Sequence, residues 1–204
     1  MNIGIIGGTF DPIHKGHLML GEYAYERFGL DEVWFMPNGH PPHKTENTLG
    51  AATTQRLEMV AETIEGIPQF KLEHYEAKRK EISYSYETME HLREVYPNHT
   101  FYFIIGADSL FAVETWMKPE RLLRSCNVLA ACRGEINSEE KMAEQIRYLQ
   151  DKYGARIELM QMPLVEISSH DIRDVLCNNR EDAGAFLAEP TLNYIQTHNL
   201  YRDC

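Results

Sequence analysis

Short, unbroken apolar runs alternate along this chain with longer amphipathic ones, and that alternation constrains the fold more than any other feature. The run Phe101-Tyr102-Phe103-Ile104-Ile105 is apolar at five consecutive positions. A strand exposed on one face alternates apolar and polar residues; a run without polar breaks reads as a strand buried on both faces. Further strand candidates are 2–6, 32–36, 70–72, 127–131 and 156–160, with 100–105 holding the apolar run. Helix candidates lie at 16–28, 52–64, 86–96, 138–153, 169–176 and 191–198. Ser138, followed by Glu139 and Glu140, supplies a start signal for one helix, and Gly154 a stop. Strands alternating with helices predict an α/β chain: a doubly wound, mainly parallel sheet with helices on both faces. Such sheets bind ligands in the loops beyond the C-terminal strand ends. Three of these loops, 7–17, 37–44 and 106–116, carry most of the reactive side chains.

Composition narrows the function. In 204 residues there are 20 Lys plus Arg against 31 Asp plus Glu, a formal net charge of −11. A protein that coats nucleic acid needs a basic face, so nucleic acid is not an expected partner. One small anion still needs only a local positive pocket. No window is long and apolar enough for a spanning helix, and the start of the chain stops being apolar at Gly7-Gly8, so neither membrane nor secretion signal is expected. The four cysteines, Cys126, Cys132, Cys177 and Cys204, form no C-x-x-C pair, and a reducing, cytoplasmic setting is expected. With no repeat and no linker, the whole of 1–204 reads as one domain, its helical C-terminal part (about 168–204) packed on the sheet. The chain has no G-x-G pair, no G-K-[ST] and no H-E-x-x-H. These gaps argue against a dinucleotide-dependent dehydrogenase, a P-loop enzyme and a zincin.

The first loop reads Gly7-Gly8-Thr9-Phe10-Asp11-Pro12-Ile13-His14-Lys15-Gly16-His17. Gly7 and Gly8 allow a sharp turn and close backbone approach to a ligand. His14 and His17, three apart at a helix start, share a face. That helix end offers N–H groups and a partial positive charge, and two imidazoles there can donate to phosphate oxygens. A turn with two surface histidines, or a two-histidine metal site lacking a third ligand, are the plainer readings.

On those residues the chain resembles the nucleotidyltransferases with an H-x-G-H motif, and more narrowly the bacterial nicotinate-nucleotide adenylyltransferases. In the related phosphopantetheine enzymes a Thr usually stands where His14 stands. The resemblance implies a Rossmann-like fold and a reaction that joins nicotinate mononucleotide to the AMP part of ATP.

Later segments extend the likeness. Met36-Pro37-Asn38-Gly39-His40-Pro41-Pro42-His43-Lys44 ends in a stiff Pro-Pro-His-Lys element, which the resemblance sets near the triphosphate; Asn38 would shape the nicotinate pocket. In Ser83-Tyr84-Ser85-Tyr86-Glu87-Thr88, Ser85 is a plausible helix N-cap, and by resemblance keeps a hydroxyl where the family has Thr near the nicotinate carboxylate. Gly106-Ala107-Asp108-Ser109-Leu110, running on to Trp116, matches the family's Gly-x-Asp-x-Leu…Trp pattern. Asp108 could cap a helix or accept ribose hydroxyls, and Trp116 could plug a core or, as the likeness implies, stack on the pyridine ring. Ser168-Ser169-His170-Asp171-Ile172-Arg173 resembles the family's Ser-Ser-Thr-x-Ile-Arg, with His170 in place of Thr. Ser168 and Ser169 can cap a helix that cradles phosphate, and Arg173 offers a planar fork.

The expectation is therefore an adenylyltransferase making nicotinate adenine dinucleotide and pyrophosphate for NAD biosynthesis. His14, His17 and Arg173 are the expected catalytic residues. Gly8, Thr9, Phe10, Asn38, His43, Lys44, Ser85, Gly106, Asp108, Trp116, Ser168 and Ser169 are the expected substrate contacts. ATP and nicotinate mononucleotide are the expected partners, with Mg²⁺ carried on ATP and no protein metal site; a homodimer is the assembly considered. The alternatives are a relative acting on nicotinamide mononucleotide or phosphopantetheine, or a nucleotide-binding regulatory module without chemistry.

Overall fold

The computed structural model describes residues 1–39, 49–133, 136–162, 168–178 and 180–202. Six strands form one sheet: β1 (Asn2–Gly8), β2 (Glu32–Pro37), β3 (Phe70–Leu72), β4 (Thr100–Gly106), β5 (Asn127–Arg133) and β6 (Arg156–Met162). Their order is β3-β2-β1-β4-β5-β6, and the β1–β4, β4–β5 and β5–β6 pairings are parallel. The order reverses at β1, as in a doubly wound sheet. Nine α-helices accompany the strands among the described residues: α1 (Lys15–Phe28), α2 (Thr53–Ile64), α3 (Tyr75–Lys78), α4 (Ser85–Val95), α5 (Ala107–Ala112), α6 (Pro119–Ser125), α7 (Ile136–Tyr153), α8 (Ser169–Asn178) and α9 (Glu189–Thr197). All six sequence-predicted strands and all six predicted helices are present. Their ends differ by a few residues at most, the usual margin for frayed termini.

The differences have local causes. The predicted loop 106–116 is mostly helical: α5 runs into a 3₁₀ turn, Val113–Thr115. Six and three residues are too few to display a 3.6-residue period. Ser85 is not the N-cap of α4. It is the first helical residue, behind Tyr84, and no side chain caps that end. Asp108 likewise sits inside the first turn of α5 and does not cap it. Gly154 does stop α7: its φ of +66° favours a residue without Cβ, and its N–H donates to Gln150 O at 2.9 Å.

The contacts divide the chain into two compact units. The first holds Met1–Ile6, Leu20–Trp34 and Tyr84–Val165. Its core lies along both faces of the strands: Ile3, Ile5, Phe101, Val128, Leu129, Ala130 and Ile157 are buried. Gly4 lets its neighbours close in: a Cβ would lie 2.8 Å from Leu30 Cδ1 and 3.0 Å from Ile104 Cδ1, so those side-chain ends would have to shift. The second unit holds Gly7–Met19, Phe35–Ser83 and Glu166–Cys204. In it α2 turns Met59, Val60, Thr63 and Ile64 inward, the i, i+3, i+4 spacing of one helix face. α9 packs against that face, and the buried Thr63 and Thr191 hydroxyls satisfy each other at 2.7 Å. Cys126 and Cys132 are free, buried thiols. No described helix is long and apolar enough to cross a membrane.

Candidate active site

The second unit carries the loop from β1 to α1 and everything that braces it. Phe10 adopts φ +50°, a left-handed conformation that a bulky residue takes only when its surroundings hold it. They do: the ring is buried, edge-on to His17 at 4.9 Å and tilted against Phe35 at 6.0 Å. Phe10 therefore shapes the turn from within the core, and its expected place among the substrate contacts finds no support in that burial.

His14 closes the loop and opens α1. Its carbonyl accepts from the N–H groups of His17 (2.9 Å) and Leu18 (3.4 Å). Its own N–H donates to His17 Nδ1 at 3.2 Å. This is one half of a capping box, the reach back to the N-cap N–H, with an imidazole in the place usually taken by Glu or Gln. The bond settles the tautomer of a neutral His17. Nδ1 accepts, so the proton sits on Nε2, at the far side of the ring. The two rings stack with centroids 3.7 Å apart and planes at 27°. The H-x-G-H spacing thus folds into one stacked pair, one ring buried and one half-exposed. Between them in sequence, Lys15 is committed elsewhere: its N–H donates to Phe186 O (2.9 Å) and its Nζ to Gly184 O (2.9 Å) and Ala185 O (3.0 Å).

Asp11, only 1% exposed, is the hub of the loop. Its Oδ1 accepts from the Tyr201 hydroxyl at 2.8 Å and its Oδ2 from the Gly50 N–H at 2.8 Å. Arg173, on α8, anchors by one nitrogen. Nη1 donates to Asp11 O (2.7 Å) and Ser169 O (3.3 Å), and stands 3.7 Å from Asp11 Oδ2. Among the described residues its Nε and Nη2 make no hydrogen bond, so that edge of the guanidinium can grip a planar or tetrahedral anion. The start of α8 is braced by its serines. Ser168 caps it, accepting from the Asp171 N–H at 3.1 Å and donating to Asp171 Oδ2 at 2.6 Å, while Ser169 Oγ donates to Pro12 O at 3.0 Å. His170, the departure from the family string, is exposed and 3.8 Å from Asp174, so it takes no part in this brace.

Sequence reasoning missed Arg56. It is fully buried on the inward face of α2. Nη1 donates to Thr9 O at 2.6 Å, and Nη2 to Thr53 Oγ1 at 3.0 Å and, weakly, to Gly39 O at 3.5 Å. Burial lowers its pKa, and the nearby Asp11 charge opposes that fall. Two guanidinium groups thus face one carboxylate, a local excess of positive charge in an acidic chain. The signal was legible: Arg56, Met59, Val60 and Thr63 share one helical stripe, so an Arg stands where an apolar residue belongs. Gly8 O accepts from the Asn38 N–H at 3.0 Å, which seats Asn38 beside the loop. A Cβ on Gly39 would meet Glu76 O at 2.9 Å. His43 and Lys44 lie outside the described residues.

The first unit holds the remaining candidates. Gly106 ends β4, Asp108 follows in α5, Ser85 starts α4, and Trp116 ends the 3₁₀ turn with its N–H on Val113 O at 3.1 Å. Trp116 is half-buried, edge-on to Phe103 at 6.4 Å. The turn is moored through Glu114 Oε1, which accepts from Lys152 Nζ (2.7 Å) and Tyr153 OH (2.8 Å).

Comparisons with known proteins identify the family. The family model described as cytidylyltransferase-like matches residues 5–175. A protein of Clostridium botulinum (strain Alaska E43 / Type E3), named "Probable nicotinate-nucleotide adenylyltransferase", is 38% identical over 98% of this chain and 98% of its own. One of the same name from Exiguobacterium sibiricum is 39% identical over 98% and 99%. The solved structure of Plasmodium falciparum nicotinic acid mononucleotide adenylyltransferase complexed with NaAD matches with a TM-score of 0.81, covering 98% of this chain and 97% of that one at 24% identity, which speaks to the fold. The chain belongs to the cytidylyltransferase-like family and, within it, to the nicotinate-nucleotide adenylyltransferases.

Proposed function

We propose that the chain transfers the adenylyl group of MgATP to nicotinate mononucleotide, giving nicotinate adenine dinucleotide and pyrophosphate. The observation that carries this is the stacked His14–His17 pair at the start of α1, in the same unit as an Arg173 held by one nitrogen. An oxygen of the mononucleotide's 5′-phosphate attacks the α-phosphorus in line. A new P–O bond forms, the bond to the bridging oxygen of the β-phosphate breaks, and that oxygen leaves with its electron pair as pyrophosphate. The attacking phosphate is already ionised at neutral pH, so no general base or covalent intermediate is needed. Rate then comes from positioning two anions and from donors aimed at the charge that develops.

Each group has a part in that account. His17 presents Nε2–H to an α-phosphate oxygen, with Nδ1 tied to the backbone. His14 supports it by stacking. Arg173 takes the leaving pyrophosphate on Nε and Nη2, assisted by the capped start of α8 at Ser168 and Ser169. Gly8 and Thr9 line the loop; Arg56 fixes the Thr9 carbonyl from below and adds positive charge. Lys44 and His43 are assigned to the triphosphate, Asn38, Ser85, Gly106 and Trp116 to the nicotinate nucleotide, and Asp108 to a ribose, on the family likeness. Mg²⁺ enters as part of the ATP substrate: hard, oxygen-seeking and well hydrated, it is carried chiefly by phosphates and water. Among the described residues no three His, Cys, Asp or Glu side chains converge on a metal position. The setting we assign is the cytoplasm, where both nucleotides are available. The test is pyrophosphate release from MgATP with a panel of acceptors. Nicotinate mononucleotide should be the best, ahead of nicotinamide mononucleotide and phosphopantetheine; no release with any acceptor would refute the assignment.

A further inference from the structure

Arg173 and Asp11 form a loose ion pair with no hydrogen bond between the side chains. The guanidinium Nη1 lies 3.7 Å from Asp11 Oδ2, too far for a hydrogen bond, while both of its N–H bonds go to backbone carbonyls. A buried carboxylate beside a guanidinium normally draws it into a two-pronged pair. Here the carboxylate is occupied by other donors. Tyr201 OH holds Oδ1 and the Gly50 N–H holds Oδ2. These donors come from 190 and 39 residues away, so the arrangement costs long-range order.

Tyr201 itself is held in a backbone conformation that disfavours side chains, φ +55°, with its ring buried. A Cβ on Gly50 would lie 2.6 Å from that ring and 3.1 Å from Arg173 Cδ. Only a glycine therefore lets Gly50, Tyr201 and Arg173 close on one another. Burial and the Asp11 charge both raise the Tyr201 pKa, so the phenol keeps its proton and stays a donor.

We propose that Tyr201, near the end of the chain, is a positioning residue for pyrophosphate: its hydroxyl saturates Asp11 and so keeps the carboxylate from capturing Arg173. This rests on the assignment of Arg173 to the leaving pyrophosphate. Without the hydroxyl, Oδ1 is a buried charge lacking a donor. The nearest remedy is to swing toward Arg173 and compete with phosphate for the guanidinium.

The test measures pyrophosphate inhibition, KM for each substrate and thermal stability in four variants: Tyr201→Phe, Asp11→Asn, the double variant and Arg173→Ala. Tyr201→Phe should weaken pyrophosphate binding and raise KM for MgATP about tenfold, the scale of one charge-assisted hydrogen bond, with KM for nicotinate mononucleotide unchanged. Asp11→Asn removes the competing charge. It should tighten pyrophosphate binding alone and restore it in the Tyr201→Phe background. A purely structural Tyr201 predicts the opposite, losses that add in the double variant and follow melting temperature, and that result overturns the proposal. Asp11→Asn stands on its own if Tyr201→Phe folds poorly; weaker pyrophosphate binding in that variant also overturns it. Arg173→Ala separates the two readings. If it leaves pyrophosphate inhibition intact, the Arg173 assignment falls. If it abolishes inhibition while Tyr201→Phe does not change it, only the role of Tyr201 falls.

Discussion

Replacing Arg56 with Met removes a fully buried cation and keeps most of its bulk. Two good hydrogen bonds are lost, to Thr9 O at 2.6 Å and Thr53 Oγ1 at 3.0 Å. Bonds from a charged donor contribute roughly 1.5–3 kcal/mol each, and an orphaned buried carbonyl costs about 1–3 kcal/mol. Against this, the desolvation that lowers the Arg56 pKa is relieved. The balance is a net destabilisation of about 2–4 kcal/mol, since removing one partner costs more than replacing a whole network. For a chain of this size each kcal/mol moves the midpoint by about 2–4 °C, so scanning calorimetry should show a fall of roughly 5–15 °C. The freed Thr9 carbonyl also loosens the turn between β1 and α1, and kcat/KM for MgATP should fall about tenfold at a temperature where the variant is folded. A midpoint within about 2 °C of the parent and an unchanged kcat/KM would refute the reasoning.

Other predictions follow from single features. Cys126 is buried, and desolvation pushes its thiol up to about 12, so iodoacetamide at pH 8 should leave it unmodified until the chain unfolds; alkylation of folded protein at the rate of a free thiol would contradict this. The Glu114 carboxylate, held below its usual range chiefly by the Lys152 hydrogen bond, contributes stability above the unfolded carboxylate pKa and loses it as pH falls through the lower folded value. Glu114→Gln should therefore melt below the parent at pH 7, with the gap closing under acid; a gap that widens would be inconsistent. Gly39→Ala forces a Cβ to within 2.9 Å of the Glu76 carbonyl, which should cost about 1–3 kcal/mol in urea titration, and no loss would disprove the tight approach. Trp116→Ala should raise KM for nicotinate mononucleotide and leave that for MgATP unchanged; unaltered kinetics would remove Trp116 from the nucleotide site.

The legible part of this fold is the part with a period. Apolar runs such as 101–105 and long amphipathic stretches announce themselves, whereas α3, α5 and α6, at four to seven residues, are shorter than the pattern that would reveal them. The site divides in the same way. Contiguous strings marked His14, His17, Ser168 and Arg173, because local chemistry and family likeness coincide there. His17 as the side-chain acceptor for the His14 N–H was hidden, since imidazole is not the usual residue for that task. Asp11 as hub depends on partners at 50, 173 and 201, contacts that no local pattern encodes. Arg56 lay between these cases, a charge in an apolar stripe that the spacing alone exposes.

The central claim is that the His17 imidazole stabilises the adenylyl group during transfer and contributes little to holding the substrates. The direct measurement is single-turnover formation of nicotinate adenine dinucleotide by His17→Ala, with both substrates saturating and their dissociation constants measured separately. Loss of one preorganised donor should slow the step by about 10²–10³ with both dissociation constants nearly unchanged. A rate close to the parent, or a loss explained entirely by weaker binding, would contradict the claim.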